Sequence, residues 1–150
     1  MIQSVNESEQ ILTSNTASVK FADTDLRTNS ANCFNGWLNH NEGTAQFTIL
    51  GGGIYDIEFN CNITSAEVGN VALAIFADGN QINGTEMDAT ISTAGLWRNI
   101  SSNKKIRVCS RGQVVITINS VPTTVYNGTV TDTQIPTIKN ANISIERLNG

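Results

Sequence analysis

His40 is the only histidine of the chain and stands in Trp37-Leu38-Asn39-His40-Asn41. A hydrolytic triad would place it beside a nucleophile and an orienting acid. Cys33 is near in sequence, but no recognisable nucleophile motif surrounds it, and His40 is read as a surface or turn residue. One histidine with the scattered Cys33, Cys61 and Cys109 gives none of the usual zinc-ligand spacings. Asp56 and Glu58 are separated by roughly 7 Å if they share a strand face. Paired carboxylates can hydrolyse glycosides at such spacings. An outward Asp-x-Glu on an alternating strand is ordinarily just its wet side. Asp78-Gly79-Asn80 offers oxygens to calcium without the later ligands of a calcium loop. Gly51-Gly52-Gly53 leads into a strand, so no helix N-terminus completes a phosphate cradle. The expectation is a chain with no catalytic residues, no metal site and no cofactor.

The three cysteines are few, odd in number and widely spaced, which excludes a disulfide framework. Each is expected to be a free thiol packed as a small hydrophobe, in keeping with a reducing birthplace. Asn-x-Ser/Thr triplets begin at Asn62, Asn83 and Asn99, but they matter only on a eukaryotic secretory route. The N-terminus MIQSVNESEQILTSN lacks the basic start and apolar centre of a secretory signal. Synthesis and folding in a cytoplasm are therefore expected, with the triplets arising by chance. The longest apolar run, Val71 to Ala77, falls far short of the roughly 20 residues of a spanning helix, so no membrane insertion is expected.

The elements that must position these residues are strands. The 150 residues fit one domain. A charged fraction of only 15%, with Asn, Ser, Thr and Gly abundant, suits an all-β protein with many polar turns. Tyr55, Ile57, Phe59, Cys61 and Ile63 alternate with Asp56, Glu58, Asn60 and Asn62. Successive side chains of a strand point to opposite faces, so this segment is a half-buried strand. Further strands are read at Ser18 to Ala22, Cys33 to Asn39, Ala45 to Leu50, Asn70 to Ala77 and Gln81 to Asn83. Others follow at Glu86 to Ser92, Leu96 to Ser101, Lys105 to Cys109, Gln113 to Asn119 and Ile138 to Leu148. Asp78-Gly79 and Arg111-Gly112 read as hairpin turns, and Thr123 to Pro136 as a long polar excursion. About eight to ten antiparallel strands in a two-sheet sandwich or barrel are expected. Residues 1–16 read as a polar arm and residues 17–150 as the domain.

Two features point outward from that domain. Val71, Leu73 and Ile75 can line a core, which leaves Ala72, Ala74 and Phe76 on an opposite face with nothing polar among them. A strand apolar on both faces is buried on both; the second cover is either another subunit or a loop of the same chain. Arg98, Lys104, Lys105, Arg107 and Arg111 are clustered, and no Asp or Glu occurs between Ala89 and Thr131. That segment is either a solvated basic face or one that meets an acidic neighbour. A nucleic-acid partner is not expected, because the chain carries a net charge of −4 and no basic groove interleaved with aromatics.

Phe47-Thr48-Ile49, Gly53-Ile54-Tyr55-Asp56-Ile57-Glu58-Phe59, Val71-Ala72-Leu73-Ala74-Ile75 and the Asp78-Gly79-Asn80 turn resemble the tumour-necrosis-factor/complement-head jelly roll. Asn35-Gly36-Trp37-Leu38, Asn41-Glu42-Gly43-Thr44, Gly84-Thr85-Glu86-Met87, Ile106-Arg107-Val108-Cys109 and Lys139-Asn140-Ala141-Asn142 look like small proteins of phages and prophages of gut bacteria. The resemblance implies a ten-stranded jelly roll that assembles as a homotrimer, with apolar strand faces near the three-fold axis. Ala72, Ala74 and Phe76 are the expected trimer contacts.

The expected function is that of a non-enzymatic virion structural protein, a homotrimeric capsid decoration or head-fibre subunit made in the bacterial host cytoplasm. Its partners would be itself and a capsid or other virion protein. Val5, Ile11 and Leu12 of the arm, with Arg98, Lys104, Lys105, Arg107 and Arg111, are the expected docking residues. The alternative is a receptor- or glycan-binding tip of a phage fibre, recognising a host-surface glycan. A small hydrolase or isomerase on the same frame has the least support. Sugars stack on exposed rings, and Trp37, Trp97, Tyr55 and Tyr126 are the only Trp and Tyr candidates. Tyr55 belongs to the core, and this scarcity favours decoration.

Overall fold

The alternation around Tyr55 is carried by a single strand of 13 residues, whose odd positions from Tyr55 to Ile63 are all buried. It sits in a computed structural model that describes residues 1–14, 16–27, 38–109, 112–122 and 134–149. Twelve strands occur among those residues, beginning with β1 (Ile2–Asn6), β2 (Gln10–Ile11), β3 (Asp23–Arg27), β4 (Leu38–His40), β5 (Phe47–Ile49) and β6 (Gly53–Ser65). They continue with β7 (Gly69–Ala77), β8 (Asn80–Gln81), β9 (Met87–Ile91), β10 (Arg98–Val108), β11 (Val114–Ser120) and β12 (Pro136–Asn149). No helix long and apolar enough to cross a membrane is present among the described residues.

The strands form two antiparallel sheets. Sheet I has the order β10-β6-β12-β1-β3, with β2 also paired to β12. Sheet II has the order β4-β5-β11-β7-β8, with β9 also paired to β7. Their inner faces meet in one core. Sheet I contributes Tyr55, Ile57, Phe59, Cys61 and Ile63 of β6 with Ile138, Ala141, Ile143 and Ile145 of β12. Sheet II contributes Phe47 and Ile49, Val71, Leu73 and Ile75, and Ile116 and Ile118. Fully burying one such side chain is worth about 1.5–3 kcal/mol, so this interior outweighs any single surface contact. The fold is an all-β, two-sheet jelly roll: the strand pattern predicts the sandwich, and the resemblance implies the jelly roll.

Local chemistry closes the turns. Asp78 and Gly79 both have positive φ, 50° and 80°, the pairing a two-residue type I′ hairpin requires. The Asp78 carboxylate also accepts the Val115 amide at 2.9 Å, tying the turn to β11. A Cβ at position 79 would meet open space, so only backbone strain opposes it. Gly79→Ala is expected to cost about 1 kcal/mol, measurable as a lowered urea midpoint with an unchanged slope. After β5, the Tyr55 hydroxyl donates to the Gly51 carbonyl at 2.7 Å, and Arg147 donates to the Gly52 carbonyl from Nη2 at 2.6 Å.

Several sequence expectations are corrected. Residues 2–11 are not an arm: β1 pairs with both β12 and β3, and β2 continues along β12. These residues belong to the sandwich, and Ile2 is wholly buried. Ser18 to Ala22 makes only isolated bridges, Ser18 to Asn119 and Phe21 to Thr44. The strands read at Leu96 to Ser101 and Lys105 to Cys109 are one, because β10 pairs with β6 without interruption from Arg98 to Val108. Cys61 is buried, and that burial pushes its thiol up to about 12. Cys109 is exposed, against expectation, because it lies just beyond the last ladder pair of β10. Cys33, Arg111, Trp37, Tyr126 and most of the excursion from Thr123 fall outside the described residues.

Candidate functional site

His40 lies at the end of β4 and is buried. Its ring stacks on Phe47 at 3.9 Å with an interplanar angle of 6°. Nδ1 is 2.9 Å from the Gln46 carbonyl and Nε2 is 3.3 Å from the Phe21 carbonyl. Both nitrogens thus face main-chain acceptors, which fixes the ring as a tie between β4 and the Phe21 segment. Sequence context suggests a surface or turn histidine; the fold makes it a core residue.

The outer face of sheet I is wet and ordered. Directly opposed residues share a face, so the register places Lys105, Asp56 and Glu146 in one row and Asn103, Glu58, Ser144 and Gln3 in the next. Ser101, Asn60, Asn142, Val5 and Asp23 make a third row across all five strands. Short polar contacts knit the rows: Lys105 to Asp56 at 3.4 Å, Asn103 to Glu58 at 3.0 Å and Asn99 to Asn62 at 3.2 Å. The carboxylates of the Asp-x-Glu pair are therefore engaged by β10 across the ladder. A depression of about 270 Å³ lies on this face, with Gln3, Asp25, Glu58, Asn60 and Asn142 in its lining. It offers amides and carboxylates to a polar ligand and no aromatic platform.

The outer face of sheet II carries the doubly apolar strand. Ala72 and Ala74 are 1% and 0% exposed within the single chain, packed with Val121 and the half-buried Phe76. The Val121 amide donates to the Ala72 carbonyl at 3.0 Å, which extends the β11–β7 ladder beside them. A residue already closed off by its own chain has no surface to give a neighbour. Ala72 and Ala74 are corrected from axis contacts to parts of a second small core.

Asp88 lies opposite Ala72. Partial burial, then the charge of Glu86 and a hydrogen bond with it, raise the Asp88 carboxyl from 3.8 to about 6. The folded state therefore holds this proton over a window in which the unfolded chain releases it. Its stabilising contribution is complete below about pH 4 and is lost as pH rises through about 6. Solvent screening of so exposed a carboxyl keeps the effect small, about 1 kcal/mol or less. Asp88→Asn is expected to stabilise the protein at pH 7 and to leave it unchanged near pH 4, as read from urea midpoints at the two pH values.

The expected docking residues do not form one patch. Leu12 is 4% exposed and belongs to the core, so it cannot reach a partner. Ile11 is 76% exposed in β2, and Val5 is half-buried on the outer face of sheet I. Arg98, Lys104, Lys105 and Arg107 all lie on β10. This strand pairs only with β6 among the described residues, so the basic cluster occupies a sheet edge. Trp97 carries the Lys139 ammonium 4.1 Å above its ring. The polar face is not visible as a site in the sequence, because its residues come from five strands far apart in the chain.

No family model matches this chain, and no curated protein matches it in sequence. Solved structures do. The globular domain of zebrafish complement 1qA protein superposes with a TM-score of 0.59 at 13% identity, covering 98% of this chain and 95% of that one. Murine APRIL superposes with a TM-score of 0.52 at 8% identity, covering 95% of this chain and 96% of that one. At such identities the likeness is one of fold, and the fold is that of the tumour-necrosis-factor/complement-head jelly rolls.

Proposed function

We propose that this chain is a non-enzymatic, self-associating domain that works as a homotrimer. More narrowly, we propose that it is a virion structural subunit decorating a capsid or forming a head fibre. The observation that carries the first statement is the jelly-roll fold shared with the complement and APRIL domains along nearly the whole chain. The virion role rests on the likeness of its polar loops and turns to small phage and prophage proteins. The polar face of sheet I supports an assembly role over catalysis: Asp56 and Glu58 are held by Lys105 and Asn103.

The glycan-binding alternative draws on the polar depression beside Glu58 and Asn60. It lacks a stacking ring there, and one face of the Trp97 ring already carries the Lys139 ammonium.

Sedimentation at micromolar concentration is expected to show a species near three times 16.1 kDa. A monodisperse monomer overturns the self-association. For the virion role, peptide mass spectrometry of density-banded particles induced from the source strain is expected to find the chain in stoichiometric amount with the capsid protein. Purified particles that lack it overturn that role.

A further inference from the structure

The polar depression on the outer face of sheet I has a carboxylate at each end and none between. Glu58, Ser144 and Gln3 form one row across β6, β12 and β1, and Asn60, Asn142 and Val5 form the next. The β1–β3 register then slips: Gln3 pairs with Leu26 and Ser4 with Thr24, which leaves Asp25 as the extra residue of a bulge. An inserted residue bends its strand and re-aims its side chain, and here Asp25 joins Glu58 in the lining. From β6 to β3 is three strand spacings, about 14 Å. Between the two carboxylates stand the carboxamides of Gln3, Asn60 and Asn142, the short Ser144 and the aliphatic Val5. No lysine, arginine or histidine belongs to the lining. Lys105 is drawn to Asp56 at 3.4 Å in the neighbouring row, and Arg27 lies opposite Ile2 in the register.

We propose that this depression binds a linear aliphatic diamine or polyamine, with one ammonium at Glu58 and another at Asp25. The site is built within one chain and does not depend on the self-association proposed above. Spacing sets the length of the ligand. Strand side chains stand roughly perpendicular to the sheet, so the two carboxylates keep about the 14 Å span of their strands. An ammonium about 2.8 Å from each leaves roughly 8–9 Å between the two nitrogens. A saturated chain of about five to seven atoms covers that distance. Its methylenes pass over Ser144 and Val5, and the carboxamide oxygens accept from the remaining N–H groups. Asn103 already donates to Glu58 Oε1 at 3.0 Å, but a carboxylate offers about four acceptor positions, so a second donor has room. Other ligands match less of the site. A neutral sugar finds no ring to stack on, and an anion meets two carboxylates. Among the described residues no three Asp, Glu, His or Cys side chains are grouped closely enough to hold a metal ion.

Nuclear magnetic resonance titration of the isotope-labelled chain tests this at low salt, about 20 mM, where screening is weak. Cadaverine and spermidine are the probes; pentylamine carries one ammonium, pentanediol none, and calcium chloride supplies a metal cation. The two polyamines are expected to give saturable shifts centred on Gln3, Asn60, Asn142 and Ser144. Pentylamine is expected to bind about threefold to fivefold more weakly than cadaverine, the effect of one solvent-facing ion pair. Asp25→Asn and Glu58→Gln are each expected to bring cadaverine down to the affinity of pentylamine, with every other resonance in its wild-type place. Cadaverine that gives no saturable shift, or shifts centred elsewhere, overturns the proposal. Pentylamine or pentanediol binding as well as cadaverine overturns it too, as do variants that bind cadaverine like wild type. Calcium that moves the same resonances at lower concentration than cadaverine replaces the polyamine with a metal ion.

Discussion

Phe59→Ala is expected to lower the unfolding free energy by about 3–5 kcal/mol. Phe59 is 1% exposed on the inner face of sheet I, where its ring meets Phe21 edge-on at a centroid distance of 6.2 Å. Phe21 in turn packs edge-on against Phe47 at 5.3 Å, and Phe47 stacks on His40. Truncating Phe59 removes one ring from this continuous cluster and leaves a cavity between rigid strands on both sides. Such strands cannot collapse into it without breaking ladder pairs, so the upper half of the range is expected. The neighbouring Asp56→Ala supplies the contrast. It removes an ion pair whose lysine is 60% exposed, and surface pairs are worth at most about 1 kcal/mol. Urea unfolding of the two variants measures both. Similar losses at the two positions would mean that β6 does not divide into a dry and a wet side.

What makes β6 legible is the agreement of local pattern and burial: every inward position from Tyr55 to Ile63 is apolar or thiol, and every outward one is polar. β7 is legible instead as an apolar run closed by the Asp78-Gly79 turn. β1 is illegible for the opposite reason. Its inward positions are Ile2, Ser4 and Asn6, and the two polar ones are satisfied locally. Ser4 bonds Thr24 across the sheet at 3.2 Å, and Asn6 donates to the Ser8 carbonyl at 2.8 Å. Polar residues buried with partners look like an arm when only hydrophobicity is read.

β10 shows a related loss of signal. Its inward positions include Ser102 and Lys104, which are half-buried because the strand sits at an edge. That lapse in hydrophobicity makes one strand look like two in the sequence. Sheet order is out of reach altogether. β12 joins β6, which precedes it by some seventy residues, to β1 at the opposite terminus. No local pattern encodes such a pairing. The polar rows of sheet I depend on that order, so the basic cluster is visible in the sequence while the rows that cross it are not.

Ala74→Arg is expected to destabilise the folded chain itself by about 3–5 kcal/mol or more. If Ala74 lined an intersubunit axis, the variant would fold normally and simply fail to assemble. The structure gives the opposite expectation, because Ala74 is wholly buried within one chain, beside Ala72, Val121 and Phe76. An arginine there must desolvate its guanidinium or force the side chain through the cover of its own sheet, and a packed site with room for one methyl group permits neither. Phe76→Arg is the control, since Phe76 is half-buried at the margin of the same cluster. Its arginine can extend into solvent and should cost far less. Thermal unfolding at several dilute concentrations separates the cases. A loss at Ala74 that persists at every concentration places the defect inside the protomer. An Ala74→Arg protein that is monomeric yet as stable as a dissociated wild-type chain would return Ala74 to an interface.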